Sequence, residues 1–157
     1  MTQLAVQSTG HSPATLAQLA LIANCDFARV RSRMNVDYPT PDDQMDRYEL
    51  EVKRFLALGV LEPGPHMVSE KVDTLWHYQV LHTQEYRKFC QDVFGTFLHH
   101  VPILPDEKPQ YASKYIRTRE LYAKHFGEPP ADLWGDNAQI CWGGCDEIRD
   151  DQISQVQ

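Results

Sequence analysis

Apolar residues recur along most of this chain at intervals of three and four, and residues that start or stop a helix bracket each recurrence. Ser12-Pro13 supplies a cap and a first-turn proline ahead of Leu16, Leu19, Ala20 and Ala23. Asp26 is placed to cap a short second helix carrying Phe27, Val30 and Met34, which the run NVDYPTP then breaks. Thr40-Pro41-Asp42-Asp43 opens a third helix: a cap, a proline, and two carboxylates at the positive end of the helix dipole. Met45, Tyr48, Val52, Phe55 and Leu56 form its stripe, which the spacing ends at Gly59.

After the turn cluster LEPGPH, Ser69 caps a helix over 69–81 whose buried positions are Val72, Leu75, Trp76 and Val80. Thr83 is placed to cap the next, over 83–94, where Tyr86, Phe89, Cys90, Val93 and Phe94 run up to a C′ glycine, Gly95. Pro102 and Pro105 mark an extended connection. Pro109 then opens a last helix with Tyr111, Tyr115, Tyr122 and Phe126, closed by Gly127. No segment of useful length alternates with strand period. The pattern predicts an all-α fold: one compact bundle of about five to six helices over residues 12–127, followed by an irregular acidic tail over 128–157 that Trp134 and Trp142 anchor.

At 157 residues and 42% hydrophobic content, one domain with a real core is expected. A net charge of −7, with no cluster of Lys and Arg, argues against nucleic acid as partner. No stretch approaches the roughly 20 apolar residues of a membrane span. The apolar run ATLAQLALIANC, at 14–25, has no basic flank and so makes a poor secretory leader. A cytoplasmic location is therefore expected, with Cys25, Cys90, Cys141 and Cys145 as thiols.

The chemistry concentrates in VDTLWHYQVLH, at 72–82, and in FLHH, at 97–100. Asp73 and His77 are four apart, so a helix sets both on one face, separated by about 6 Å along its axis. A carboxylate and an imidazole so placed can ligate one ion, or serve as a base with its orienting acid. If the helices of 69–81 and 83–94 fold back on each other, His99 and His100 return toward that pair. An extended segment lets only one of the two turn inward. The candidate ligands are Asp73, His77 and His100, with His99 and His82 in reserve, and the ions suited to that set are Zn²⁺ and Fe²⁺. The bland alternative is a buried polar network around Trp76 with no metal.

Val72, Asp73, Trp76, His77, Leu81, Thr83, Tyr86, Cys90, Phe94, Gly95, Leu98, His99, His100 and Pro102 together resemble the pattern of the glycine-rich domain-containing protein-like family (DUF1399). The resemblance covers residues 44–102. It implies that Trp76, Thr83 and Tyr86 are structural parts of the motif and that His100 is the more persistent of the paired histidines. It departs at Gln79, where that family carries a second histidine. Positions 77 and 79 lie about 200° apart on a helix, so a single site could hardly use both.

Three classes of function follow. The first is a small helical protein with a His/Asp metal site, its reaction unread. The second is a non-catalytic interaction module, with the tyrosine-rich last helix as its surface and its partner and oligomeric state unread. The third is a thiol redox protein using CWGGC, at 141–145. That motif lacks C-x-x-C spacing, and no other Cys or His nearby completes a zinc set. Cys141 and Cys145 are accordingly expected not to cycle as a disulfide; thiol trapping in a glutathione buffer checks this, and a reversible bridge would reverse the ranking.

Overall fold

The computed structural model describes residues 4–7 and 10–135 and the backbone of 145–149. Among these residues the chain forms seven helices: α1 Pro13–Ala23, α2 Ala28–Asp37, α3 Asp42–Leu61, α4 Glu70–Leu81, α5 Thr83–Phe94, α6 Lys108–Phe126 and α7 Ala131–Trp134. Strand β1, Leu98–Pro102, follows α5 and pairs antiparallel with β2, Cys145–Arg149. The fold is helical, as the periodicity predicts.

The central element is α3, which packs against α1, α4 and α6. Its stripe of Val52, Phe55, Leu56, Ala57 and Leu58 is wholly buried and forms one core with Ile22, Val72, Leu75, Trp76, Tyr86, Cys90 and Tyr122. A buried cation helps to seat α1 on it. Lys53 Nζ donates to the Ala23 carbonyl at the C-terminus of α1 (3.0 Å) and to Glu49 Oε1 (2.7 Å). The ammonium thus meets the negative end of the α1 dipole with a counter-ion beside it.

Local signals hold in part. Ser12 and Ser69 cap α1 and α4 by accepting from Thr15 N and Val72 N. Gly95 ends α5 in the left-handed region (φ 70°), where a Cβ would be strained. Asp26 accepts from Ala28 N at the start of α2, although Phe27 holds the cap position. Thr40 turns its hydroxyl to Tyr38 O instead of capping α3. Thr83 does not cap α5, because it is already that helix's first residue. Nor does Gly59 end α3: it is buried within the helix, which runs on to Leu61.

The chain beyond Gly127 is more tightly docked at its start than composition suggests. Leu133 and Trp134 of α7 are buried. Trp134 Nε1 donates to Glu51 Oε2 (2.8 Å), and the same oxygen accepts from Tyr122 OH (2.8 Å). Arg54 Nη1 reaches Glu51 Oε1 at 2.9 Å. Outside, Arg47 pairs with Asp132 at 2.8 Å. A carboxylate only 2% exposed is stable here because three donors converge on it. Trp142 and Cys141 lie outside the described residues; Cys145 begins β2.

Glu51→Ala would leave the indole, phenol and guanidinium without their acceptor, and urea denaturation should show a loss of about 3–5 kcal/mol. A second expectation concerns acid. Glu62 accepts from Lys124 and from His125 Nε2 (2.8 Å), and these bonds hold its carboxyl below the usual range. A depressed folded-state pKa means that this stabilisation is complete above the ordinary carboxylate pKa and disappears as pH falls through the folded value. Glu62→Gln should therefore shrink the stability difference between neutral and acid pH; an unchanged acid-unfolding profile would count against the coupling.

Candidate metal centre

Helix α4 starts at the Ser69 cap and turns its apolar stripe, Val72, Leu75 and Trp76, into the core. The edge of that stripe carries Asp73, buried, and one turn later His77, half-exposed. The third member arrives from β1. Tyr86 of α5, buried, donates its hydroxyl to Leu98 O (2.7 Å) and so ties the beginning of the strand to the helix before it. Leu98 is buried and, two residues on, the His100 side chain is only 6% exposed.

The three side chains meet. His77 Nδ1 is 2.9 Å from Asp73 Oδ2, His100 Nε2 is 2.9 Å from Asp73 Oδ1, and the two ring nitrogens are 3.0 Å apart. One carboxylate thus straddles two imidazoles. The three residues could hold a metal ion between them, and they are the one such Asp/Glu/His/Cys group among the described residues. The floor is aromatic: the His100 ring lies 4.7 Å from the Trp76 ring, centroid to centroid, and Trp76 lies edge-on to Phe55 at 5.1 Å.

Burial works against the charge on Asp73, but hydrogen bonds from His100 and then His77 outweigh it and hold the carboxyl below its ordinary range. The hydrogen bond to Asp73 pushes the His77 imidazole up, against a smaller effect of its own partial burial. The cluster therefore carries a carboxylate at neutral pH. It can share protons between its members or exchange them for a cation.

The two reserve ligands fall elsewhere. His82 is at the C-terminus of α4, where its Nδ1 lies 2.7 Å from Tyr78 O. His99 turns to the other face of β1, edge-on to Phe97 at 4.9 Å, and lines a groove with Gln84, Arg87 and Lys88. Alternation along the strand separates it from His100. Of the structural motif residues, Trp76 and Tyr86 have the supporting positions just described, whereas Thr83 has none. Gln79 is buried on a different side of α4, with its Nε2 3.9 Å from Cys25 Sγ, so a histidine there would not have joined this cluster. Trp76 is buried against the helix of 41–58, as its stripe predicts, through Phe55; sequence reasoning missed Leu98 as the acceptor for Tyr86, since a backbone acceptor leaves no trace in sequence.

Comparison with known proteins gives one family. The model of the UCP032817-like family matches residues 17–125, from α1 to the end of α6. The chain belongs to that family. This corrects the resemblance to the glycine-rich domain-containing proteins, since the family that matches spans and extends the stretch on which that likeness rested. Val72, Trp76, Tyr86, Cys90 and Leu98 in that likeness are core positions, where apolar type is set by packing more than by descent. No curated protein and no solved structure matches the chain. The UCP032817-like description names no activity, so function has to be argued from the site.

Trp76→Ala should cost about 3–5 kcal/mol as a core truncation. Trp76→Phe gives up an indole N–H that has no acceptor, and should cost clearly less. Equal losses in denaturant titrations would show that a phenyl ring restores none of the packing that the larger indole supplies.

Proposed function

We propose that this UCP032817-like protein binds a divalent transition metal through Asp73, His77 and His100. The observation that carries the reading is the convergence of three ligand atoms from two separate elements. Two imidazoles and a carboxylate are a ligand set for Zn²⁺ and for non-haem Fe²⁺. Three protein ligands do not fill the coordination shell of either ion, and the half-exposed His77 leaves one side accessible to solvent. A structural zinc site would be closed by a fourth residue, so an open site points toward binding or transforming a small ligand at the ion.

The competing reading is a protein–protein interaction module in which the same three residues form a structural hydrogen-bonded network. Its nominated surface does not suit it. Tyr115 and Tyr122 of α6 are buried, and their hydroxyls are used internally, by Trp134 O (2.6 Å) and by Glu51. A buried tyrosine whose hydroxyl finds an acceptor is a core residue, which helical spacing alone could not distinguish from a surface one. Among the described residues no helix is long and apolar enough to cross a membrane.

The test is elemental analysis of protein prepared without a histidine tag, beside His77→Ala and His100→Ala. Wild type should carry close to one metal per chain, and each variant should lose at least 10-fold in affinity with the helical spectrum kept. Metal uptake should also weaken as pH falls, because protons compete for His77. If wild type and both variants bind zinc, iron and cobalt equally poorly, the triad is a structural network.

A further inference from the structure

A cleft of about 290 Å³ runs along α6 and shares no residue with the metal centre. Ile116, Arg119, Glu120 and Ala123 line it from one face of the helix. The opposite wall is Glu128 and the buried Pro129, which the chain brings back beside α6 after turning at Gly127 (φ 84°). A few residues on, the burial of Leu133 and Trp134 fixes that wall in place.

The charges in this cleft are not paired across it. Arg119 has its Nε buried without a hydrogen-bond partner, and among the described residues no ion pair joins its guanidinium to Glu120 or Glu128. Glu120 leans instead toward Arg117, at 3.7 Å and with both side chains mostly exposed. A part-sunk guanidinium has lost water at one nitrogen without gaining an acceptor, and the acceptor that fits its fork best is a carboxylate.

The surrounding charges narrow the choice of ligand. A simple anion would meet Arg119 but would also face the two glutamates. A simple cation would suit the glutamates and leave Arg119 unmatched. A molecule carrying both charges close together complements both walls. The cleft is smaller than the roughly 300–1,000 Å³ of those that enclose drug-sized ligands, so that molecule is small. Ile116, 49% exposed, and Ala123 offer apolar surface beside the charges.

We propose that this cleft binds a free aliphatic α-amino acid, with its carboxylate on Arg119, its ammonium on Glu128 and Glu120, and its side chain against Ile116 and Ala123. The site is independent of the metal-binding reading and stands if that reading fails.

Calorimetric titration of the whole chain separates the two charges, using leucine, isocaproate (leucine without its amino group) and isoamylamine (leucine without its carboxylate). Leucine should bind, and each of the other two should bind at least about 10-fold more weakly, since each gives up a charge-assisted contact. Arg119→Gln and Glu128→Gln, with the helical spectrum kept, should each weaken leucine by a similar factor and leave the metal content as in wild type. Isocaproate or isoamylamine binding as tightly as leucine would overturn the assignment of a doubly charged ligand. Leucine binding that Arg119→Gln leaves unaltered would place the ligand elsewhere on the protein and overturn the site. If leucine, valine and alanine all fail to titrate at millimolar concentration, the cleft is a solvated groove and the proposal falls.

Discussion

The indole of Trp76 is the contact on which the rest of the site depends. One side of it meets Phe55, in the stripe of α3 that forms the middle of the core, and it also lies against His100. Its complete burial sets the rotation of α4 about its own axis. With that rotation fixed, Asp73 and His77 have to emerge along the boundary between core and solvent, since they flank the tryptophan by three residues and by one. A helix turned by one residue would bury His77 and expose the indole. Core packing therefore aims the polar side chains, and the polar side chains contribute little to choosing the packing.

That division explains which features could be read from sequence. Helices α1 to α6 were legible because each carries an apolar stripe with a stop or start beside it, as in α5, where the stripe ends at Gly95. The Asp73–His77 pair was legible because i, i+4 spacing is a property of any helix. The choice of His100 over His99 depended on where β1 would lie, which the buried Leu98 and its bond from Tyr86 decide. A backbone carbonyl accepting from a tyrosine twelve residues earlier has no sequence signature. Position 128 was a similar case. A Pro-Pro pair and glycines suggested an irregular run, yet Trp134 is drawn into the core by Glu51, a charged residue on the helix that otherwise supplies the apolar centre. A carboxylate in a periodic stripe reads as solvent-facing until its donors are known.

The two buried carboxylates make a useful contrast. Glu51 is met by an indole, a phenol and a guanidinium, so its charge is balanced by arginine and its oxygens are held by donors that keep their protons at any ordinary pH. Asp73 is met by two imidazoles, which can give their protons up. The first arrangement is suited only to holding α7 on the bundle. The second is suited to exchange, and its half-exposed histidine provides the route.

The donors also lie close together along the chain. The largest separation between bonded members, Asp73 to His100, is 27 residues. Bringing such a span together costs the unfolded chain about 3 kcal/mol in loop-closure entropy, apart from a constant term. Any bridge across it, whether protons or an ion, closes a loop that contains all of α5; unlike a covalent cross-link it is lost on unfolding, so it stabilises by being held only in the folded state. The centre is thus also a clasp on the short segment that supplies it, and neither α6 nor α7 contributes a donor to it.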